Sequence, residues 1–422
     1  MAKEIWNKDV ESEIVDILKN LIKIKTINSH NNEIEAVNYI KKILDKEGIE
    51  STVIQSDKGR GNIIAKLKGG NKTPIIFLSH LDVVDVETDK WTFDPFEGTI
   101  HNEIMYGRGT LDTKHLTAMG LMIMLLLKRN NIYLNRDIIF AATADEENGS
   151  KYGMKYLMDN YPNLLPKGYV VNEGGGFVME VDGKQFRTCA CGEKGVCEVK
   201  IRIESNDEED IYNTQNHTII KLSKIIKRVT SYESELVMCE VSNKFKEAAN
   251  SYISKDKTLK NLWEYMTHNT MTVNKFNIEK KLEDLTKPIE VVINFRFLPI
   301  LTKQNVIAII EEILEGLDVT WEIANFIDGY ESNIHNDFIG LLESKSNKFS
   351  EKTSMLPMIA LGNTDGRFIR HNVYGYSPLL NDIPFSQVLK KVHSHDECIT
   401  VNSLIYGTRV LFESVMEMLE NN

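Results

Sequence analysis

The 422-residue chain lacks an apolar run that could cross a bilayer; its longest, Met119 to Leu127, falls far short of the about 20 residues a spanning helix needs. Its first residues, Met1-Ala-Lys-Glu-Ile-Trp-Asn-Lys8, carry no apolar signal core. Cysteine is scarce. Five residues, an odd number, argue against a disulfide framework, and Cys189, Cys191 and Cys197 cluster without the paired spacing of a structural zinc site. They read as strand residues in a reducing compartment. There is no basic run, and a formal net charge of −11 disfavours nucleic acid or an anionic membrane as partners. No internal repeat or low-complexity tract is present. These absences predict a soluble, cytoplasmic protein. What remains is ordinary globular composition, 42% hydrophobic and 26% charged, long enough for two domains.

Hydrophobic periodicity divides the chain. The first part alternates predicted helices (Asp9 to Ile24, Glu33 to Glu47) with predicted strands (Thr52 to Gln55, Asn62 to Leu67, Ile75 to Leu78), which implies a mainly α/β core. From about Thr188 the order becomes strand (Gly195 to Ile203), helix (Thr218 to Val229), two strands (Thr270 to Phe276, Ile289 to Phe297), helix (Lys303 to Leu314) and strand (Asp318 to Phe326). That is the β-α-β-β-α-β order of a ferredoxin-like α+β unit. It reads as an insertion, residues 189–329, within a discontinuous domain of residues 1–188 and 330–422, because further polar motifs follow it. The apparent linkers are short, around Arg187 and Asp328-Gly-Tyr-Glu-Ser332.

Polar motifs recur where strands should end. His80, in Ser79-His-Leu-Asp82, follows the apolar run Pro74-Ile-Ile-Phe-Leu78, so its imidazole falls where open α/β sheets build sites. A neutral imidazole is a zinc ligand whose other nitrogen needs an acceptor, and Asp82 is close enough in sequence to serve. Asp112 ends Gly107-Arg-Gly-Thr-Leu-Asp112, just before the apolar helix Leu116 to Leu127; a helix cap and a metal ligand both suit it. Asp145-Glu146-Glu147 ends the strand pattern Arg136 to Ala144, and adjacent acids there are costly unless paired, exposed or bound to a cation. One of them can bind metal while its neighbour handles protons. Glu173-Gly-Gly-Gly176 repeats this placement after Gly168-Tyr-Val-Val-Asn172, as a ligand or as an acidic surface turn.

Taken in order, His-x-Asp, Trp91-Thr-Phe-Asp-Pro-Phe96, Gly-Arg-Gly-x-x-Asp, Asp-Glu-Glu-x-Gly-Ser and Glu-Gly-Gly resemble the M20 family of zinc peptidases and amidohydrolases, which includes carboxypeptidase S-like enzymes, succinyl-diaminopimelate desuccinylases and aminoacylases. The likeness covers nearly the whole chain. Gly192-Glu-Lys-Gly195 resembles the entry to that family's second domain, Asn294-Phe-Arg-Phe-Leu-Pro299 a strand near its end, and Asn363-Thr-Asp-Gly-Arg367 and His393-Ser-His-Asp-Glu397 its C-terminal motifs. The resemblance implies a di-zinc exopeptidase-like catalytic domain, a central mixed sheet flanked by helices, with an inserted ferredoxin-like lid.

It also implies roles. Asp112 would bridge two zinc ions, His80 and Glu173 completing one site and Glu147 and His393 the other. Glu146 would be the general base and Asp82 the partner of His80. The Asp396-Glu397 pair points to His393 rather than His395 as the ligand. Cobalt or manganese would also suit such donors. The substrate's free carboxylate would meet Arg296, with Asn269, Asn363 and Arg367 around it, because a guanidinium grips a carboxylate with two hydrogen bonds. An exposed arginine on a strand edge is the plainer reading of Arg296. The expected activity is cleavage of an amide beside a free α-carboxylate, in a dipeptide, a carboxyl-terminal residue or an N-acyl amino acid. The alternative is a metal-binding module of the same fold that has lost turnover.

One departure falls in the insertion. The family's Gly-His-x-Ser-like segment, whose histidine serves a neighbouring subunit in dimeric members, is replaced here by Ser205 to His217, with Glu209 at the histidine's place and His217 as a substitute if the loop is rebuilt. The Asn-Val-Ile-Pro-like segment is likewise absent from Glu279 to Pro288. A homodimer through the lid is therefore left open.

Overall fold

The structure is a computed structural model that describes residues 5–204, 218–278 and 288–420. The Glu209 and His217 readings, and most of the Glu279 to Pro288 segment, lie outside the described residues.

Local sequence accounts for the first elements. Asn7 accepts hydrogen bonds from the amides of Asp9 and Val10 and so starts the helix Lys8–Lys23. Val10, Ile14, Ile17, Leu18, Leu21 and Ile22 recur at helical spacing and form its buried face. The helix Lys114–Arg129 is different: every residue from Lys114 to Leu127 is buried. It packs between the main sheet and the helices Lys8–Lys23 and Val401–Glu420. A helix apolar all round needs cover on all sides, and each fully buried Leu or Ile in it contributes roughly 1.5–3 kcal/mol. Gly120 sets the spacing, since a Cβ there would come within 3.0 Å of Phe77 and 3.1 Å of Phe140 on the sheet.

Among the described residues the main sheet has nine strands. Its path runs Ser51–Asp57, Arg60–Leu67, Arg136–Thr143, Lys72–His80, Tyr169–Asn172, Val373–Gly375, Lys184–Ala190 and Ser354–Met358, with Val178–Val181 paired to Lys184–Ala190. Lys72–His80 is central and runs parallel to both Arg136–Thr143 and Tyr169–Asn172. Three neighbouring strands therefore end at the same edge.

A second sheet of four antiparallel strands has the order Thr270–Ile278, Ile289–Phe297, Gly195–Ile203, Thr320–Ile327. This is the ferredoxin-like arrangement the sequence predicts. Residues alternate along Ile289–Phe297, with every odd position buried. They share a separate apolar cluster with Ile225 of helix Thr218–Thr230 and Ile310 of helix Lys303–Leu314. A short antiparallel pair, Gly192–Glu193 with Tyr330–Glu331, joins the two sheets' chains.

Sequence reading passed over the stretch between Thr230 and Thr270, which forms the helices Glu240–Ile253 and Lys257–Thr267. Phe245, Ala249 and Leu262 on them belong to the main apolar cluster, not to that of the four-stranded sheet. Part of the 189–329 interval thus packs on the main body. All five cysteines are free and buried. Among the described residues, no helix is long and apolar enough to cross a membrane.

Candidate metal centre

The parallel register brings the strand-end motifs together. His80 closes Lys72–His80, Asp145-Glu146-Glu147 follows Arg136–Thr143, and Glu173 follows Tyr169–Asn172, all at carboxyl ends of adjacent strands. Asp112 arrives from the turn before the buried helix, and the Asp112–Thr113 peptide bond is cis. The helix's N-cap position is Thr113, so Asp112 is not the cap that its sequence position also allowed.

Asp112 is the shared centre. Its Oδ1 lies 2.9 Å from His80 Nε2, which is 3.4 Å from Glu173 Oε2. Its Oδ2 lies 2.9 Å from His393 Nε2, which is 3.2 Å from Glu147 Oε2. Two donor groups result, His80–Asp112–Glu173 and Asp112–Glu147–His393, and in each the donor atoms lie within 4.8 Å of one another. His395 is in neither. Glu146 also ligates in neither group, yet it lines the same cleft.

The tautomer of His80 follows from its partner. Its Nδ1 lies 2.9 Å from the Asp82 carbonyl oxygen, which only accepts, so Nδ1 carries a proton and Nε2, turned to Asp112 and Glu173, is the nitrogen that can give up its proton to a metal. This sharpens the role read for Asp82. Its carboxylate stands 3.5 Å from Nδ1 and instead accepts from the amides of Glu146 and Glu147, each at 3.1 Å, and from Asn28 Nδ2 at 2.7 Å. Asp82 thus holds the backbone that carries the two glutamates. Asn28 also donates to Asp145 Oδ1 at 3.2 Å.

A second buried carboxylate does the same for the other turn. Glu397 Oε1 accepts from the amides of Gly109, Leu111 and Asp112 at 2.7–3.1 Å, and its Oε2 accepts from Arg108 at 2.7 Å. In sequence Glu397 served only to choose between histidines. The turn Gly107 to Asp112 was a usable signal, because its buried amides and arginine demand an acceptor. No comparable signal marked Asn28.

Charge in the centre is mutually dependent. Burial works against a charged His80, but Glu173, Asp112 and Asp82 outweigh it and raise its pKa well above the ordinary value. Hydrogen bonds to Asp112 and Glu147 push His393 up to about 10. Burial, helped by Asp112, pushes Glu173 up to about 7 against the pull of His80. Burial also raises Glu146 well above the carboxylate range, with Glu173 and Asp365 adding to it. Acids and imidazoles packed this closely suit a cation that replaces the protons between them. Glu147 Oε1 is buried with no hydrogen-bond partner, an acceptor left over for such an ion. Two imidazoles with three carboxylates are donors for a divalent metal.

The donors open onto a cleft of about 670 Å³. Arg296, Asn363 and Arg367 line it beside Asp112, Glu146, Glu147, Glu173 and His393. Arg296 is not on a sheet edge: its strand is an inner one, and Arg296 pairs with Val196 on one side and Thr270 on the other. Arg367 is buried and donates to Ser150 Oγ at 3.4 Å. Asn269 departs from its expected place. It is absent from the cleft lining, and its Oδ1 accepts from the Leu298 amide at 2.8 Å, so it braces the end of the Arg296 strand.

Comparison with known proteins shows the family and the fold. The model of the family described as "Peptidase family M20/M25/M40" matches residues 76–417. A Staphylococcus aureus protein named "Probable succinyl-diaminopimelate desuccinylase" is 38% identical over 176 residues, 41% of this chain and 41% of that protein's own length. The N-fatty-acyl-amino acid synthase/hydrolase PM20D1 of Bos taurus is 24% identical over 448 residues, 96% of this chain and 87% of that protein. Among solved structures, the M20 family metallo-carboxypeptidase Sso-CP2 from Sulfolobus solfataricus superposes with a TM-score of 0.73 at 17% identity, covering 97% of this chain and 99% of that one. The Bacillus subtilis YXEP protein, a dinuclear metal-binding peptidase, gives 0.64 at 12% identity over 99% of this chain and 100% of that one. At such identities the superpositions show a shared fold.

Proposed function

The chain belongs to the M20/M25/M40 peptidase family, and from that premise we propose that it is a metal-dependent hydrolase cutting an amide beside a free α-carboxylate. The observation that carries this is the shared Asp112 between two donor groups, with Glu146 left out of both and an arginine in the same cleft. In this reading zinc is the metal, one ion per group. His80 and Glu173 would hold the first with Asp112, and Glu147 and His393 with Asp112 would hold the second. Ions so placed supply Lewis acidity, which lowers the pKa of water and offsets charge that develops on the carbonyl oxygen.

This chain's residues do the rest. Glu146 accepts a proton from the attacking water and returns it to the departing nitrogen, so the amide C–N bond breaks without leaving an amide anion. Burial raises its proton affinity, which suits the return step. Asp82 keeps Glu146 and Glu147 in register through their amides, and its carbonyl keeps His80 in the tautomer that ligates. Arg296 takes the substrate's carboxylate, with Asn363 and Arg367 nearby. The cleft volume falls within the about 300–1,000 Å³ usual for small-molecule sites, so dipeptides or N-acyl amino acids are the substrate class.

We also assign residues 1–188 and 330–422 to the catalytic unit. Within 189–329, the four-stranded sheet and its two helices act as the lid, while the helical pair Glu240–Ile253 and Lys257–Thr267 stays fixed to the main body. The lid would deliver Arg296 as it closes.

The test joins metal analysis to a screen of dipeptides and N-acyl amino acids. Metal binding together with release of a free amino acid is the expected result. Bound metal with no product from either class would instead favour a binding module.

A further inference from the structure

Resting on the amide-hydrolase reading, we infer that the group on the acyl side of the scissile bond is apolar, an aliphatic or aromatic acyl chain or an apolar amino-terminal residue, and not a dicarboxylate such as succinyl. The lining of the cleft carries this. Phe177, Phe385, Leu389 and Val392 all line it. The last three lie on, or just past, the helix Phe385–Lys391 that leads into His393. The rings of Phe177 and Phe385 are 5.7 Å apart, so these residues make one continuous wall. Leu389 is 39% exposed. An apolar side chain held in water at the rim of a site gains when an apolar group comes to lie on it.

Charge points the same way. Besides His393, which belongs to the donor set, the cations lining the cleft are Arg296 and Arg367. The charge of Arg367 is already balanced: it is buried, donates to Ser150 at 3.4 Å, and offsets the buried carboxylates of Asp365, Glu193 and Glu146. That leaves Arg296, one cation for the one carboxylate beside the scissile amide. A second carboxylate would have to leave water for a wall of phenyl, leucyl and valyl groups where, among the described residues, no further cation lines the cleft to receive it.

Connectivity assigns the wall to the acyl side. Arg296 keeps company with Tyr265, whose phenol feels its charge and whose hydroxyl donates to the Leu361 carbonyl at 3.4 Å. The carboxylate grip thus lies where the Arg296 strand of the lid meets the helix Lys257–Thr267 and the loop around Leu361. Phe177 follows the Glu173 turn and Val392 precedes His393, so the wall is tied to the donors, where the reacting carbonyl and its acyl substituent must lie.

The experiment compares kcat/KM for N-hexanoyl, N-acetyl and N-succinyl derivatives of one amino acid. Hexanoyl should exceed succinyl by about 100-fold, because succinyl brings an unpaired carboxylate to the apolar wall where hexanoyl brings methylenes that it can bury. Leu389→Lys, at a site exposed enough to accept it, should cut hexanoyl turnover by about 10-fold and raise succinyl turnover. Leu389→Ala should weaken the hexanoyl preference without raising succinyl. Metal content and melting temperature check that each variant is folded. Equal or better cleavage of succinyl by the unaltered chain would overturn the inference while leaving the hydrolase reading standing. An undiminished hexanoyl preference in folded Leu389→Lys would overturn the assignment to this wall. If neither these derivatives nor dipeptides with an apolar amino-terminal residue are cleaved although metal is bound, the hydrolase reading falls and the inference with it.

Discussion

The two donor groups share Asp112 but differ in their surroundings. His80 is 1% exposed and Glu173 14%, at the ends of neighbouring parallel strands, whereas His393 is 50% exposed. His393 stands in a loop after a seven-residue helix, with a φ of 59° in the left-handed region. A non-glycine residue held there carries a modest backbone cost, which its contacts with Asp112 and Glu147 must offset. One group is therefore built into the sheet, and the other is assembled across the cleft by a loop. We expect the first to retain its cation and the second to exchange it.

The largest expected effect separates both groups from the chemistry. Glu146→Gln should leave metal content unchanged while turnover falls by about 10²–10⁴-fold. Full activity in that variant would remove Glu146 as the base. Next comes the asymmetry itself. Metal released to a dilute chelator, followed with a chromogenic indicator, should appear in a fast and a slow phase, and His393→Ala should abolish the fast one. Loss of the slow phase in that variant would invert the comparison.

Asp82→Asn tests what the groups have in common, because Asp82 supports His80 and the Glu146–Glu147 backbone together. A fall of about 10–100-fold in activity or metal affinity is expected for such a supporting partner; an effect confined to one phase of metal release would show that the support is not shared. The smallest effect is Asn269→Ala. Losing the acceptor for the buried Leu298 amide should cost about 1–3 kcal/mol of stability in chemical denaturation. KM should hardly change, whereas Arg296→Ala should raise it. A large rise in KM for Asn269→Ala would return that residue to the substrate site.

Much of this was legible in the sequence for identifiable reasons. His80, Glu146, Glu147 and Glu173 follow short apolar strands, and strand ends announce themselves where an apolar run stops at polar residues. The inner strands Gly195–Ile203 and Ile289–Phe297 have the bounds their alternation predicts. The helices between Thr230 and Thr270 do carry apolar faces at helical spacing, Val241, Phe245 and Ala249 on one and Leu259, Leu262 and Met266 on the other, a usable signal that was passed over; that they pack on a surface far away in sequence was not legible. Asn269 was misplaced because its neighbours in the chain lead towards the Arg296 strand, while the direction of one side chain depends on a single hydrogen bond.

By itself, the sequence determined the chemical inventory: which residues can ligate, which can move a proton, and the order of strands and helices that carries them. Local periodicity and residue chemistry suffice for that. Only the tertiary structure decided that Asp112 faces two histidines 313 positions apart in the chain, His80 and His393. It likewise decided that Glu397 organises the turn before Asp112, and that one histidine is walled in while the other is open. Those outcomes depend on parallel strand register and on packing between segments distant in sequence, where burial and the pairing of buried polar groups select one arrangement from many.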